Sequence, residues 1–196
     1  AGPSEIMVVA DDTADAELVA ADLLSQAEHD PAAAAILVTP SERLLQAVMA
    51  ALEGQLATLE RAETARESLA RWGRAVLCLD LSEAMELANL VAPEHLELVV
   101  ADPWAWLSDV RHAGAIFLGT ASTEPIGDYV AGPNHILPTN GTARFASPLG
   151  IDDFVRRSNV IFYTESALRE LGPTAVRLAE VEGLGAHAAA VRRRLR

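Results

Sequence analysis

Short apolar runs recur along the chain, and a stretch with helical spacing follows each one. EIMVVA (5–10), AAAILVTP (33–40), AVLCLD (75–80), HLELVV (95–100) and AGAIFLG (113–119) read as strands. Pro40 ends the second of them. Residues 11–30, 41–53, 58–71, 82–90 and 103–110 read as helices, with Asp12 or Thr13 as the N-cap of the first. Most of the strands are apolar on both faces. Strands of that kind alternating with helices predict an α/β fold, with a mostly parallel sheet covered by helices on both sides.

The composition narrows the function classes. A chain of 196 residues suits one ordinary domain, or one domain with a small appendage. A net charge of −13 repels phosphate backbones, so no nucleic-acid partner is expected. The basic end RRRLR (192–196) is explained by cations that complement a helix dipole. No apolar run approaches the roughly 18–20 residues of a membrane span, so no membrane partner is expected. Nothing marks secretion. The single cysteine, Cys78, lies in what reads as a buried strand and forms no internal disulfide, which fits a cytoplasmic location. The chain enters its first strand without an initiator Met. Either the Met was removed before a small residue, or the chain is a piece of something longer.

Around residue 120 the character changes. Residues 123–150 are rich in Gly, Pro, Asn and Thr, and long structureless stretches inside compact domains are usually functional. From 151 the chain reads as helical again, broken at Gly172-Pro173 and near Gly183 and Gly185. The expected division is an α/β domain over 1–149 and a helical segment over 150–196.

Ionisable groups cluster at element ends. Gln26 and His29 are three apart and continue the inward stripe of Val19 and Leu23. Such a pair needs partners, either a metal ion or helix-end carbonyls. Glu94 and His95 stand side by side after Pro93. An extended backbone sends them to opposite faces, and a bend at the proline brings both to one cavity suited to proton transfer. The alternative is a surface Glu beside a strand-capping His. Asp128, Asn134 and His135 fall in the Gly/Pro-rich stretch, as ligands and substrate contacts or as turn residues. Glu182 and His187 flank GLGA in the tail. His112, in DVRHAG, reads as structural.

Five stretches, in this order, resemble histidinol dehydrogenase: AGPSEIMVVAD (1–11), DLLSQAEHDP (22–31), APEHLEL (92–98), EPIGDYVAGPNHILPTNGTARFASPLG (124–150) and EGLGAHAAAV (182–191). The resemblance implies a Rossmann-like sheet and a zinc- and NAD-dependent enzyme of histidine biosynthesis. It would take L-histidinol through the aldehyde to the acid. It implies Gln26, His29, Asp128 and His187 as zinc ligands, the last across an intertwined homodimer. It implies Glu94 as the activator of water and His95 as general base. Ser4, His135 and Glu182 match substrate-contacting positions, as do the zinc ligands and His95. A substantial N-terminal part of the family's chain, with most of the NAD contacts, is absent. The chain is therefore expected to correspond to the C-terminal portion, inactive alone. Two alternatives from the residues are a related dehydrogenase of another small polar alcohol and a non-catalytic zinc-binding assembly module.

Overall fold

The computed structural model describes residues 2–195. Ala1 and Arg196, at the ends of the first and last stretches quoted above, lie outside them. The chain divides into two compact units, one running to Phe154 and one from Val155 onward.

The first unit is α/β, as expected. Five strands, β1 (Glu5–Ala10), β2 (Ala34–Thr39), β3 (Arg74–Leu77), β4 (His95–Val99) and β5 (Ala115–Leu118), form one sheet in the order β3-β2-β1-β4-β5. Every pairing is parallel. Helices α1 (Ala16–Ala27), α2 (Glu42–Leu56), α3 (Ala62–Trp72), α4 (Leu81–Val91) and α5 (Pro103–Trp106) make the crossovers. Alternation along each strand divides the core. Ile6, Val8, Ala10, Leu37 and Val99 pack with α1, α2 and α3. Met7, Val9, Val38, Leu96 and Leu98 pack with α4 on the other face.

Three local expectations are corrected. The N-cap of α1 is Asp15, which accepts from the Glu17 amide, while Asp11 takes the amide and hydroxyl of Thr13. Strand β3 is an edge strand with Leu77 half exposed, and Cys78 is buried just beyond its end. The stretch 123–150 is not structureless. It forms α6 (Glu124–Tyr129) and a 3-10 turn at Thr142–Arg144. It is tied down by bonds that composition does not reveal: the Asn140 amide donates to Glu5 Oε1 at 3.0 Å and the Gly2 amide to Thr139 Oγ1 at 2.7 Å.

In the second unit, regular helix begins only at 165, with α7 (Glu165–Val181) and α8 (Gly185–Arg192). Pro173 does not break α7. Gly172 packs so closely that a Cβ there would meet Val191 Cγ1 on α8 at 3.3 Å and Leu195 Cδ2, just past α8, at 2.9 Å. That packing offsets the one backbone bond a proline forfeits. The break after α7 is at Gly183, whose φ of +73° is the left-handed turn glycine favours.

One buried amide fixes the entrance to β5. Asn89, on α4, donates to the Asp109 carbonyl at 2.8 Å and accepts from the amides of Arg111 at 2.6 Å and His112 at 3.2 Å. Asn89→Ala would strand these groups. We expect a loss of about 2–4 kcal/mol in urea unfolding, with the slope of the transition unchanged.

Candidate active site

The chain reverses sharply before β4. Helix α4 ends in Ala92 with a φ of +54°, its amide held by the Ala88 carbonyl at 2.8 Å. A non-glycine residue in this region is strained, and the buried turn around it holds the strain. Pro93 then starts the extended chain. The bend lets two neighbouring residues grip one peptide group. Glu94 Oε2 accepts from the Glu5 amide at 2.8 Å, and His95 Nδ1 lies 2.9 Å from the Glu5 carbonyl oxygen.

That second bond fixes the state of the imidazole. A carbonyl only accepts, so Nδ1 carries the hydrogen and Nε2 keeps its lone pair. Burial pushes the His95 pKa down, which keeps the ring neutral. Nε2 is buried with no hydrogen-bond partner, and the nearest acid is Asp128 Oδ1 at 3.9 Å. It is a buried base pointing at a carboxylate. Beside it, burial raises Glu94 to about 7, and the charge of Glu5 adds to the effect, while the Glu5 amide and the Ser4 hydroxyl draw it back. Near neutral pH Glu94 is therefore divided between acid and carboxylate, as a group that activates water requires.

Asp128 comes from α6. One ligand atom each from His95, Glu124 and Asp128 lie within 4.8 Å of one another. Of the three, Asp128 can give a carboxylate oxygen to a divalent cation of borderline hardness without occupying the His95 lone pair. Gln26, in the last turn of α1, is fully buried, and neither of its side-chain amide atoms has a partner. A buried amide normally makes its bonds, so this one fits a site completed by an ion or a ligand. His29, just past the helix end, is exposed, and its charge opposes protonation of His95. Asp128, Asn134 and His135 line a cleft of about 510 Å³ walled by Phe117 and Gly127. Glu182 and His187 belong to the second unit. Both are exposed and line a hollow beside α7 and α8 with Leu184 and Val191.

The family model for histidinol dehydrogenase matches residues 1–195. The chain belongs to the histidinol dehydrogenase family. It is 50% identical over 196 residues to the histidinol dehydrogenase of Clostridium acetobutylicum, covering 100% of this chain and 46% of that protein. It is 53% identical over 192 residues to that of Aquifex aeolicus, covering 98% and 45%. The crystal structure of histidinol dehydrogenase from Elizabethkingia anophelis superposes with a TM-score of 0.96 at 41% identity, covering 100% of this chain and 45% of that one. The chain thus spans about half the length of the relatives it matches.

Sequence reasoning missed four acids in this part of the fold: Glu5, Asp22, Glu97 and Glu124. Glu97 left a signal, because a carboxylate two residues after His95 in an otherwise apolar strand must share its face. Burial first, and then the charge of Asp22, raise Glu97 to about 9. Burial and the neighbouring Asp128 raise Glu124 to about 8. Burial also raises Asp22.

These shifts carry a sign. In the unfolded chain Glu97 ionises near 4.5, whereas in the folded protein it keeps its proton to about 9. The folded state binds more protons between these values. Its contribution to stability is therefore complete below the lower value and is lost as pH rises toward the upper. Glu97→Gln stays neutral throughout. We expect its thermal midpoint to fall less than the wild type's between pH 5 and 9, with a difference in slope of up to about 1.4 kcal/mol per pH unit. Identical pH profiles would contradict a protonated Glu97.

Proposed function

We propose that this chain is the zinc-binding and proton-handling part of a histidinol dehydrogenase, which oxidises L-histidinol to L-histidine in two NAD-linked steps. The observation that carries the proposal is the buried, neutral His95, with Nε2 free beside Asp128 and Glu94 poised near neutrality at its side. Turnover requires the remaining length found in the relatives, where the NAD contacts are expected. Glu182 and His187 reach the site across a homodimer interface.

A zinc ion held by Gln26, His29, Asp128 and His187 would bind and orient the substrate's imidazole and amino nitrogens. The unsatisfied Gln26 amide and the carboxylate of Asp128 fit that donor set. Ser4 and His135 contact the same substrate. In the first oxidation His95 Nε2 accepts the hydroxyl proton as hydride passes from the carbinol carbon to NAD⁺, which leaves the aldehyde. Glu94 then takes a proton from water as the oxygen adds to the aldehyde carbon, while protonated His95 returns its proton to the aldehyde oxygen, which gives the hydrate and leaves His95 neutral again. In the second oxidation His95 accepts a hydrate hydroxyl proton as hydride leaves to a second NAD⁺, which leaves the acid. The neutral tautomer fixed by the Glu5 carbonyl keeps Nε2 ready to accept in both steps.

The test uses an enzyme of the relatives' length that carries this segment. His95→Ala should slow oxidation of both histidinol and the aldehyde by about 10²–10⁴-fold. Glu94→Gln should slow aldehyde oxidation by a similar factor and leave aldehyde formation within a few-fold. Equal losses in the two steps for Glu94→Gln would overturn this division of roles.

A further inference from the structure

Helix α6 is anchored in an unusual way. Thr123 stands at its N-cap, where a threonine hydroxyl normally accepts from an amide in the first turn. It makes no such bond. Its hydroxyl instead donates to Asp22 Oδ1, 101 residues away, at 2.6 Å. The Glu124 amide is taken by Glu97 Oε1, 27 residues away, at 2.8 Å. Six residues are too few to hold a helix on their own. The buried Glu97 carboxyl from the sheet takes an amide that a local cap would otherwise hold, and the half-buried Asp22 carboxyl on α1 holds the cap residue itself.

The anchors lie one structural repeat from the proposed site. Asp22 is one turn before Gln26 on α1. Glu97 is two residues after His95 on the same face of β4. Asp128 is one turn after Glu124 on α6. A second contact presses α6 down. A Cβ at Gly127 would lie 2.6 Å from Phe117 Cε1, so any larger residue beside Asp128 would have to push the Phe117 ring aside. Both anchoring bonds are short, and Glu97 is 1% exposed, so water does not compete for the Glu124 amide.

We propose that Asp22 and Glu97 form a clamp on the start of α6 and are positioning residues that set Asp128 against His95 Nε2 and the metal-binding groups. The inference rests on the proposed function for the metal, and the clamp itself can be read without it. Three variants separate the cases. Glu97→Gln keeps an oxygen that accepts the Glu124 amide. Glu97→Leu removes it. Thr123→Val removes the hydroxyl bound by Asp22 and changes little else.

Two measurements are made on the 196-residue chain. One is amide hydrogen exchange over 119–131. The other is titration with Co²⁺, followed by its visible absorption. In Glu97→Leu and Thr123→Val, α6 should exchange at least about tenfold faster while β1 and β4 stay protected. Co²⁺ affinity should fall at least about tenfold, with an altered spectrum. Glu97→Gln should restore both to within about threefold. Thr123→Val carries the test if Glu97→Leu does not fold. Unchanged exchange in α6 would overturn the clamp. Faster exchange with unchanged Co²⁺ affinity and spectrum would overturn the positioning role. Absence of Co²⁺ binding by the unsubstituted chain would overturn the metal assignment and the positioning role with it, while the exchange data still report on the clamp.

Discussion

The peptide group of Glu5 is the point on which the site depends. Its amide is held by Glu94 and its carbonyl by His95, where β1 and β4 enter the sheet together. One bond places a carboxyl, and the other selects an imidazole tautomer. Neither outcome needs a flexible side chain, because the partner is backbone in the centre of a parallel sheet. Gly114, just before β5, supports the same corner. Its amide donates to the Pro93 carbonyl at 2.9 Å, and a Cβ there would meet the Glu94 carbonyl oxygen at 2.5 Å.

That corner lies at an unexpected end of the fold. Open parallel sheets usually bind ligands beyond the carboxyl ends of their strands, where the strand order reverses. Here the reversal lies between β1 and β4, and at its carboxyl end the segments that leave the two strands are bonded to each other. Asp11 Oδ2 accepts from the Ala101 amide at 2.9 Å, and the Asp11 amide donates to the Val99 carbonyl at 3.3 Å. Ser4, Glu5, Glu94 and His95 gather at the amino ends instead, where α1 also delivers Gln26 and His29. Carboxyls buried at that end meet few cations, which is why burial and mutual repulsion push Glu94, Glu97 and Glu124 all in one direction.

Much of the fold was legible beforehand. All five strands were predictable from continuous apolar runs bounded by Pro, Asp or Gly, which suit the buried centre of the sheet, while the same pattern in β3 lies exposed at its edge. The division into helices was less so at 151–164 and around Pro173, where packing between α7 and α8 outweighs local propensity. The stretch 123–150 looked unstructured because its order comes from Asp22, Glu97 and Glu5, which lie far away in sequence.

The sequence by itself determined the α/β class, through apolar periodicity, and a short set of candidate groups, through their placement at element ends. It marked Glu94 and His95 because two ionisable residues after a proline stand out against a buried strand. Only the tertiary structure decided which nitrogen of His95 is free, that Gln26 is buried with its bonds unmade, and that Asp22 and Glu97 hold α6. Those properties depend on distances between strands and helices brought together by crossovers. No local pattern encodes a hydrogen bond across 90 or 101 residues.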